Sequence, residues 1–329
     1  MYENEIQATP SIIRDFLHYN QVIKGKSQLT VQEYFLDLRT FFRFIKKKYN
    51  MVASDIDWDQ IDLSGVDIEL IRKITLADVY EFFSFCINDR DNKAASRARK
   101  ASTLRMYFHY LTNKVGLLKV NPVQELEAPK LKKSLPKYLT LEECLQLLSV
   151  IDGTYRERDY CIITIFLNCG LRLSELCGLN LSDIGSDNTL RVVGKGNKER
   201  LVYLNSACIS AIDQYLRVRP HEGVVDKKAL FLSRLNKRIS NKTVQHIVYV
   251  NLEKAGLGNR GMSVHKLRHT AATMMYQHGN VDIRVIKDVL GHENLGTTEI
   301  YTHLSDQQME QATNSIPLAN IVQKHSKEN

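Results

Sequence analysis

No apolar run in the 329 residues approaches the roughly 20 that a membrane-spanning helix requires, which argues against an integral membrane protein. The opening stretch MYENEIQATP lacks the basic start and apolar centre of a signal peptide and the arginine-rich character of a transit peptide, so a cytoplasmic protein is expected. Cysteine is sparse: Cys86, Cys144, Cys161, Cys169, Cys177 and Cys208 never form a CxxC pair. That spacing excludes a zinc-ribbon or thioredoxin-like framework and leaves reduced, structural thiols as the expectation. No repeat of solenoid period and no low-complexity tract is present. A phosphate-cradling GxxxxGK[ST] loop is absent too, so the chemistry is not that of a P-loop nucleotide enzyme.

What remains is an ordinary soluble composition, 43% hydrophobic and 25% charged, in a chain long enough for two cores. The net charge of +8 leans toward a polyanionic partner without specifying one.

The first 125 or so residues read as a helical bundle. A helix from about Ser11 to Lys24 follows Pro10, and Thr30-Val-Gln-Glu33 has the form of a capping box before Val31, Phe35, Leu38, Phe42 and Ile45 at helical spacing. Ile74–Ile87 repeats the pattern with Thr75 and Asp78 at its start, and Ala94–Val115 is a long helix closed by Gly116. Charge is uneven here. Asp55–Glu69 holds six acids and no base, whereas Arg90–Lys119 holds eight bases and one acid. The basic set includes Arg97, Arg99, Lys100 and Arg105, which form either a solvated helix face or a surface that tracks phosphates.

APKLKKSLPK, Ala128–Lys137, carries two prolines and four lysines and reads as an extended linker, with Lys132 and Lys133 placed to meet a phosphate backbone. Beyond it the pattern is mixed. Thr140-Leu-Glu-Glu143 caps one helix, and Arg156–Cys169 forms an apolar helix stopped by Gly170. TLRVVGKGNKERLVYLN is a hairpin, followed by helices near Ser206–Val218, Asn241–Gly256, Val264–His278 and Val281–Leu290.

Four stretches of this half can carry chemistry. In CGLRLSEL, Arg172 lies between leucines just after a glycine stop, either paired with Glu175 or clamping an anion. Lys195, in the hairpin turn GKGNKER, is either a solvated turn residue or a mobile ammonium for a phosphate. In SVHKLRHTAATMM, His265 and His269 have the spacing of a zinc-protease helix, but Lys266 stands where that motif needs its glutamate, so no metal is expected. Arg268 shares a face with His265, a pairing suited to a phosphate oxyanion. In LGHENLGTTEIYTH, His292 follows a glycine-closed helix and Tyr301 follows a broken, restarted chain. A phenol with a pKa near 10 is a poor nucleophile unless a base or cations favour its phenolate.

Arg172, Lys195, His265, Arg268, His292 and Tyr301 thus supply donors and cations around one nucleophile. In that order, with GLRLSEL, HKLRHT, LGH and TTEIYTH in register, the chain resembles the tyrosine recombinases of the phage integrase family, and most closely their compact Xer-type members. The resemblance covers nearly the whole chain. It implies a mainly α protein: a helical, SAM-like core-binding bundle (1–128), a linker (129–136), and an α+β catalytic domain with a small antiparallel sheet (137–329). Together these would form a C-shaped clamp on double-stranded DNA.

It further implies that Tyr301 attacks a scissile phosphate to give a 3′-phosphotyrosyl link and a free 5′-hydroxyl. Arg172 and Arg268 would hold the non-bridging oxygens, Lys195 would protonate the departing oxygen, and His265 would move protons. His292 would donate to the phosphate, and Glu175 would orient His265 or its neighbours. No cofactor is needed, because the phosphodiester energy is stored in the phosphotyrosine. Exchange through a four-way junction implies a homo- or heterotetramer on a specific DNA site, docked through a C-terminal helix near Asp306–Ala312, with an activator protein as a further partner.

The absence of an arm-binding domain before the bundle favours chromosome dimer resolution over an integrase of a phage or conjugative element. A type IB topoisomerase, which would relax any supercoiled plasmid, and a catalytically silent DNA-binding regulator are the more distant alternatives.

Overall fold

The computed structural model describes residues 2–127, 137–194, 198–277 and 281–291. These fall into two compact units, divided between Lys133 and Ser134, each with its own core. Among the described residues no helix is long and apolar enough to cross a membrane.

The first unit is all helical: α1 (Tyr2–Gln7), α2 (Ser11–His18), α3 (Gln28–Lys48), α4 (Ile68–Lys73), α5 (Leu76–Asn88) and α6 (Ala94–His109). Both α2 and α6 run on into a single wider, π-type turn, Tyr19–Ile23 and Tyr110–Lys114. The latter ends at Gly116, whose φ of +64° suits a residue without a Cβ. Thr75 and Asp78 form a reciprocal capping box at the start of α5, as the sequence predicts. The box expected at Thr30 does not form. Ser27 is the N-cap of α3, its hydroxyl accepting from the Thr30 amide, so the cap lies three residues before that motif and Thr30 lies within the first turn.

Apolar positions of α3, α5 and α6 meet as aromatic edges and faces. Phe41 packs edge-on against Phe82 at 5.2 Å and against Phe108 at 6.4 Å, and Phe16 against Tyr107 at 5.2 Å. Such contacts add about 0.5–1.5 kcal/mol each beyond area burial. The acidic stretch before α4 is anchored to α3. Arg43 donates to the Ile61 carbonyl at 2.7 Å and to Asp59 at 3.1 Å, and Lys46 donates to Asp62 at 3.0 Å and to the Ser64 carbonyl at 2.9 Å.

The second unit contains α7 (Leu141–Ser149), α8 (Arg156–Cys169), α9 (Leu173–Gly178), the hairpin β1 (Thr189–Val193) and β2 (Glu199–Tyr203), α10 (Ser206–Val218), α11 (Asn241–Lys254), α12 (Val264–Gln277) and α13 (Ile283–Leu290). Cys161, Ile162, Ile163, Ile165 and Phe166 of α8 are all buried, so this helix is apolar on nearly every side and forms the centre of the unit. Helices α10 and α12 pack against it. The hairpin is antiparallel, with Arg191 opposite Leu201 and Val192 opposite Arg200. All six cysteines are free and buried.

Lys100 of α6 is only 8% exposed and its ammonium lies 2.9 Å from the Asp37 carboxylate, which also accepts from Thr103 and pairs with Arg99. Removing one partner of a buried pair strands the other charge. Asp37→Ala is therefore expected to destabilise the chain by about 3–5 kcal/mol. Replacing both partners, Asp37→Leu with Lys100→Met, is expected to recover most of that loss. Urea denaturation of the two variants checks both values.

Candidate active site

The site begins where α8 ends. Gly170 adopts φ +60°, and a Cβ there would stand 2.6 Å from Leu290 Cδ2 and 3.4 Å from Ala271 Cβ. Glycine is thus required twice, for the left-handed turn and for the close approach of α12 and α13. The turn buries Leu171 in the core and makes Arg172 the N-cap residue of α9.

Arg172 and Glu175 do form an ion pair. The Arg172 amide donates to Glu175 Oε2 at 2.8 Å and its Nη1 to Oε1 at 2.7 Å, while Nη2 donates to the Gly291 carbonyl at 2.8 Å. The side chain nonetheless keeps 36% of its surface exposed, so pairing leaves part of the guanidinium open to an anion. The two readings of Arg172 are compatible.

Arg268 reaches the same place from α12. It is 2% exposed, and it donates from Nη1 to the Gly170 carbonyl at 2.6 Å and from Nη2 to the Leu290 carbonyl at 2.7 Å. One turn earlier, His265 is exposed, with its ring edge-on to His269 at 4.6 Å. Protein around the ring displaces some of its water, and this, then the positive charges of Arg268 and Arg172, lowers the His265 pKa. A neutral imidazole beside two guanidiniums can accept a proton that a protonated one could not. Burial and then the His265, Arg268 and Lys266 neighbours take His269 down to about 4.

Glu175, expected to orient His265 or its neighbours, directs its hydrogen bonds elsewhere than to His265. Its hydrogen bonds run to Arg172 and to Arg200 of β2, whose Nη1 and Nη2 both donate at 2.9 Å. Burial of the carboxyl raises its pKa, but the Arg200 hydrogen bonds, followed by the Arg172 amide and the two positive charges, outweigh this and leave it at about 2. Arg200 also donates from Nε to the Val289 carbonyl at 2.9 Å. The sequence reading passed over Arg200. It stands in the quoted hairpin, but as one base of a charged Lys-Glu-Arg run it carries no mark of burial.

The last turn of α13 therefore presents three consecutive carbonyls, Val289, Leu290 and Gly291, each accepting from a different arginine. Gly291 ends the helix at φ +67° and leads directly to His292. Lys195, His292 and Tyr301 lie outside the described residues, as do Lys132, Lys133 and the 306–312 segment. The ends of the Lys195 turn are defined by a bond of 2.8 Å from the Gly194 amide to the Lys198 carbonyl.

The four basic residues singled out on α6 are largely committed within their own unit. Besides the buried Lys100, Arg97 donates to the Asn92 carbonyl, and Arg105 donates from Nε to the Leu126 carbonyl at 2.9 Å. Arg99 pairs with Asp37 at 2.9 Å and with Glu33 at 2.5 Å, and keeps 41% of its side chain exposed. A second basic surface was not foreseen. A cleft of about 820 Å³ in the second unit is lined by Arg234, Lys237, Lys242 and His246, with Asp152 and Asp159 also on its wall and Lys254 paired with Asp152. Its signal is SRLNKRISNK, residues 233–242, with four bases and no acid.

Comparison with known proteins places these features in one family. Residues 137–308 match the phage integrase family, and residues 13–114 match the phage integrase N-terminal SAM-like domain. A tyrosine recombinase XerC of Caldanaerobacter subterraneus subsp. tengcongensis is 54% identical over 94% of this chain and 88% of its own length. A tyrosine recombinase XerD of Proteus mirabilis is 35% identical over 93% of both chains. Among solved structures, the XerH site-specific recombinase bound to difH substrate aligns with a TM-score of 0.68 at 23% identity, covering 95% of this chain and 86% of that one. The lambda integrase (residues 75–356) dimer bound to a COC′ core site gives 0.64 at 18%, covering 86% and 96%. The chain belongs to the phage integrase family. Within it, the chain is a tyrosine recombinase of the Xer type, an enzyme that cleaves and rejoins DNA.

The titrations of Glu175 and His269 have the same sign. Glu175 is depressed to about 2 from 4.5, so its stabilisation is complete above 4.5 and is lost as pH falls toward 2. His269 is held neutral down to about 4 against a usual 6.5, so the unfolded chain binds the extra proton and stability declines as pH falls from 6.5 to 4. Urea denaturation between pH 7 and 4 is expected to show falling stability, with a shallower slope above pH 4.5 in His269→Gln.

Proposed function

We propose that Tyr301 is the nucleophile and that its phenolic oxygen attacks the scissile phosphorus of a specific DNA site. The O5′–P bond breaks as the tyrosyl–P bond forms, leaving a 3′-phosphotyrosyl link and a 5′-hydroxyl. The phenolic proton passes to His265, and Lys195 supplies the proton that the departing 5′-oxygen takes up. Arg172 and Arg268 hold the non-bridging oxygens and oppose the charge that accumulates on them. His292 donates to the same phosphate, and Glu175 serves by fixing Arg172. Religation reverses the step with a different 5′-hydroxyl, so no energy source is consumed.

The observation that carries this reading is the convergence of Arg172 and Arg268 on the end of α13, immediately before His292 in the sequence, with His265 one turn from Arg268. The same geometry explains how two guanidiniums are kept close together before any phosphate arrives. Their mutual repulsion is offset by Glu175 and by the carbonyls.

The domain organisation proposed is a core-binding unit 1–128, a linker 129–136 and a catalytic unit 137–329. Duplex DNA is gripped through phosphate contacts by Arg99, by the linker residues Lys132 and Lys133, and by the Arg234–Lys242 cleft. Arg97 and Arg105 contribute once their local carbonyl bonds are exchanged for phosphate, while Lys100 belongs to the bundle interior. The working unit is a tetramer of one or two recombinases on a four-way junction, docked through the 306–312 segment and responsive to an activator protein. The cellular role is resolution of chromosome dimers in the cytoplasm. The 54% identity with a XerC over 94% of the chain favours it above an element integrase.

Tyr301→Phe is expected to abolish covalent protein–DNA adducts while leaving site binding within about 3-fold of wild type, since only the nucleophilic oxygen is lost. Arg172→Ala and Arg268→Ala are each expected to slow cleavage by about 10²–10³-fold. Trapped adducts mapped across the genome read out the first, and single-turnover cleavage of the recovered site reads out the second. Adducts surviving in Tyr301→Phe would sink the mechanism, and adducts clustered at the ends of an inserted element would replace the chromosomal role with that of an integrase.

A further inference from the structure

We infer that Arg200 is a positioning residue for strand cleavage: it fixes Glu175 and the last turn of α13 so that Arg172 meets the scissile phosphate in a single orientation. The inference rests on the recombinase reading above and adds to it a group that works entirely through others.

Arg200 stands in β2 opposite Val192, on the strand that follows the Lys195 turn. Three of its N–H donors are engaged: Nε on the Val289 carbonyl, Nη1 on Glu175 Oε1 and Nη2 on Glu175 Oε2, all at 2.9 Å. Its side chain is 14% exposed, against 36% for Arg172. A guanidinium so covered, with a carboxylate clamped across its fork, has little capacity left for a phosphate, so a direct contact is the weaker reading.

Arg172 depends on what Arg200 holds. Its bonds end on Glu175, which Arg200 grips bidentately, and on the Gly291 carbonyl, two residues beyond the carbonyl that Arg200 binds. The Arg200 side chain also lies over Gly291 itself, where an added Cβ would meet its Cδ, Nε and Nη1 at 3.2–3.3 Å. One side chain thereby sets the relative placement of β2, α9 and α13. Without it Glu175 keeps Arg172 as its sole cation, and the carboxylate is free to turn and draw Arg172 with it. A displacement of about 1 Å at such a site costs about 10²-fold in rate.

The test is single-turnover cleavage of a nicked duplex carrying the site recovered from trapped adducts, using the full chain. Arg200→Gln is expected to slow adduct formation about 100-fold with duplex affinity within about 3-fold of wild type. In an Arg172→Ala background the same change is expected to cost nothing further, because a positioning residue has no effect once its client is gone. Slowing that multiplies with that of Arg172→Ala, or an Arg200→Gln rate equal to wild type, overturns the inference. Should Arg200→Gln fail to fold, Arg200→Lys serves instead: it keeps the charge but not the fork, so a loss of about 10-fold that again vanishes beside Arg172→Ala is expected, and a multiplying or absent loss refutes the idea. A wild-type chain that forms no adduct, or adducts that persist in Tyr301→Phe, would instead bring down the recombinase reading itself.

Discussion

The end of α13 is the constraint on which the rest of the site depends. A helix terminus leaves its last carbonyls without partners and concentrates negative partial charge there. In most helices water or a glycine turn satisfies these groups. Here Arg200, Arg268 and Arg172 take Val289, Leu290 and Gly291 in succession. Each arginine comes from a different element, β2, α12 and the start of α9, so one helix end organises three parts of the fold. The helix in turn is kept close by Leu290, which is fully buried and lies against Gly170. A larger residue at 170 would push α13 away and separate the carbonyls from their donors.

Bringing three guanidiniums together requires a counter-charge, and Glu175 is the carboxylate that supplies it. It is 4% exposed and binds both Arg172 and Arg200, so the desolvation cost of its own charge is offset by two cations. Arg268, by contrast, has carbonyl dipoles at Gly170 and Leu290 as partners. Arg172 and Arg268 therefore sit in different surroundings. Arg172 faces a carboxylate, and Arg268 lies in the drier setting, where charges interact more strongly.

Much of this was legible in the sequence, for reasons that differ by element. The Thr75/Asp78 and Thr140/Glu143 boxes and the Gly170 stop are local signals, set by residues three or four apart, and the structure reproduces them. The Thr30 motif shows where local signals fail: Ser27 competes for the same helix end and wins, and the whole first turn moves with it. Helices α1 and α4 are six residues each and too short for any periodicity to register. The proposed catalytic set stands out because its motifs repeat a family pattern, whereas Arg200 does not. Its role arises only when β2 meets α9 and α13, and nothing within a Lys-Glu-Arg run separates a buried arginine from two solvated neighbours.

Charge was the least transferable signal. Runs of bases on α6 and of acids before α4 look like two opposed surfaces, yet much of both is consumed internally, Lys100 by Asp37, Asp59 by Arg43 and Asp62 by Lys46. A charge counts toward DNA affinity only if binding releases a counterion from the phosphate it neutralises, and a lysine already paired in a core cannot do that. Within the Arg234–Lys242 stretch, Arg238 is likewise paired with Asp226, while Arg234, Lys237 and Lys242 line an open cleft. The net charge of +8 therefore understates how unevenly the cations are available. Arg172, Arg200 and Arg268 are held in place by protein partners, whereas other bases stand more open.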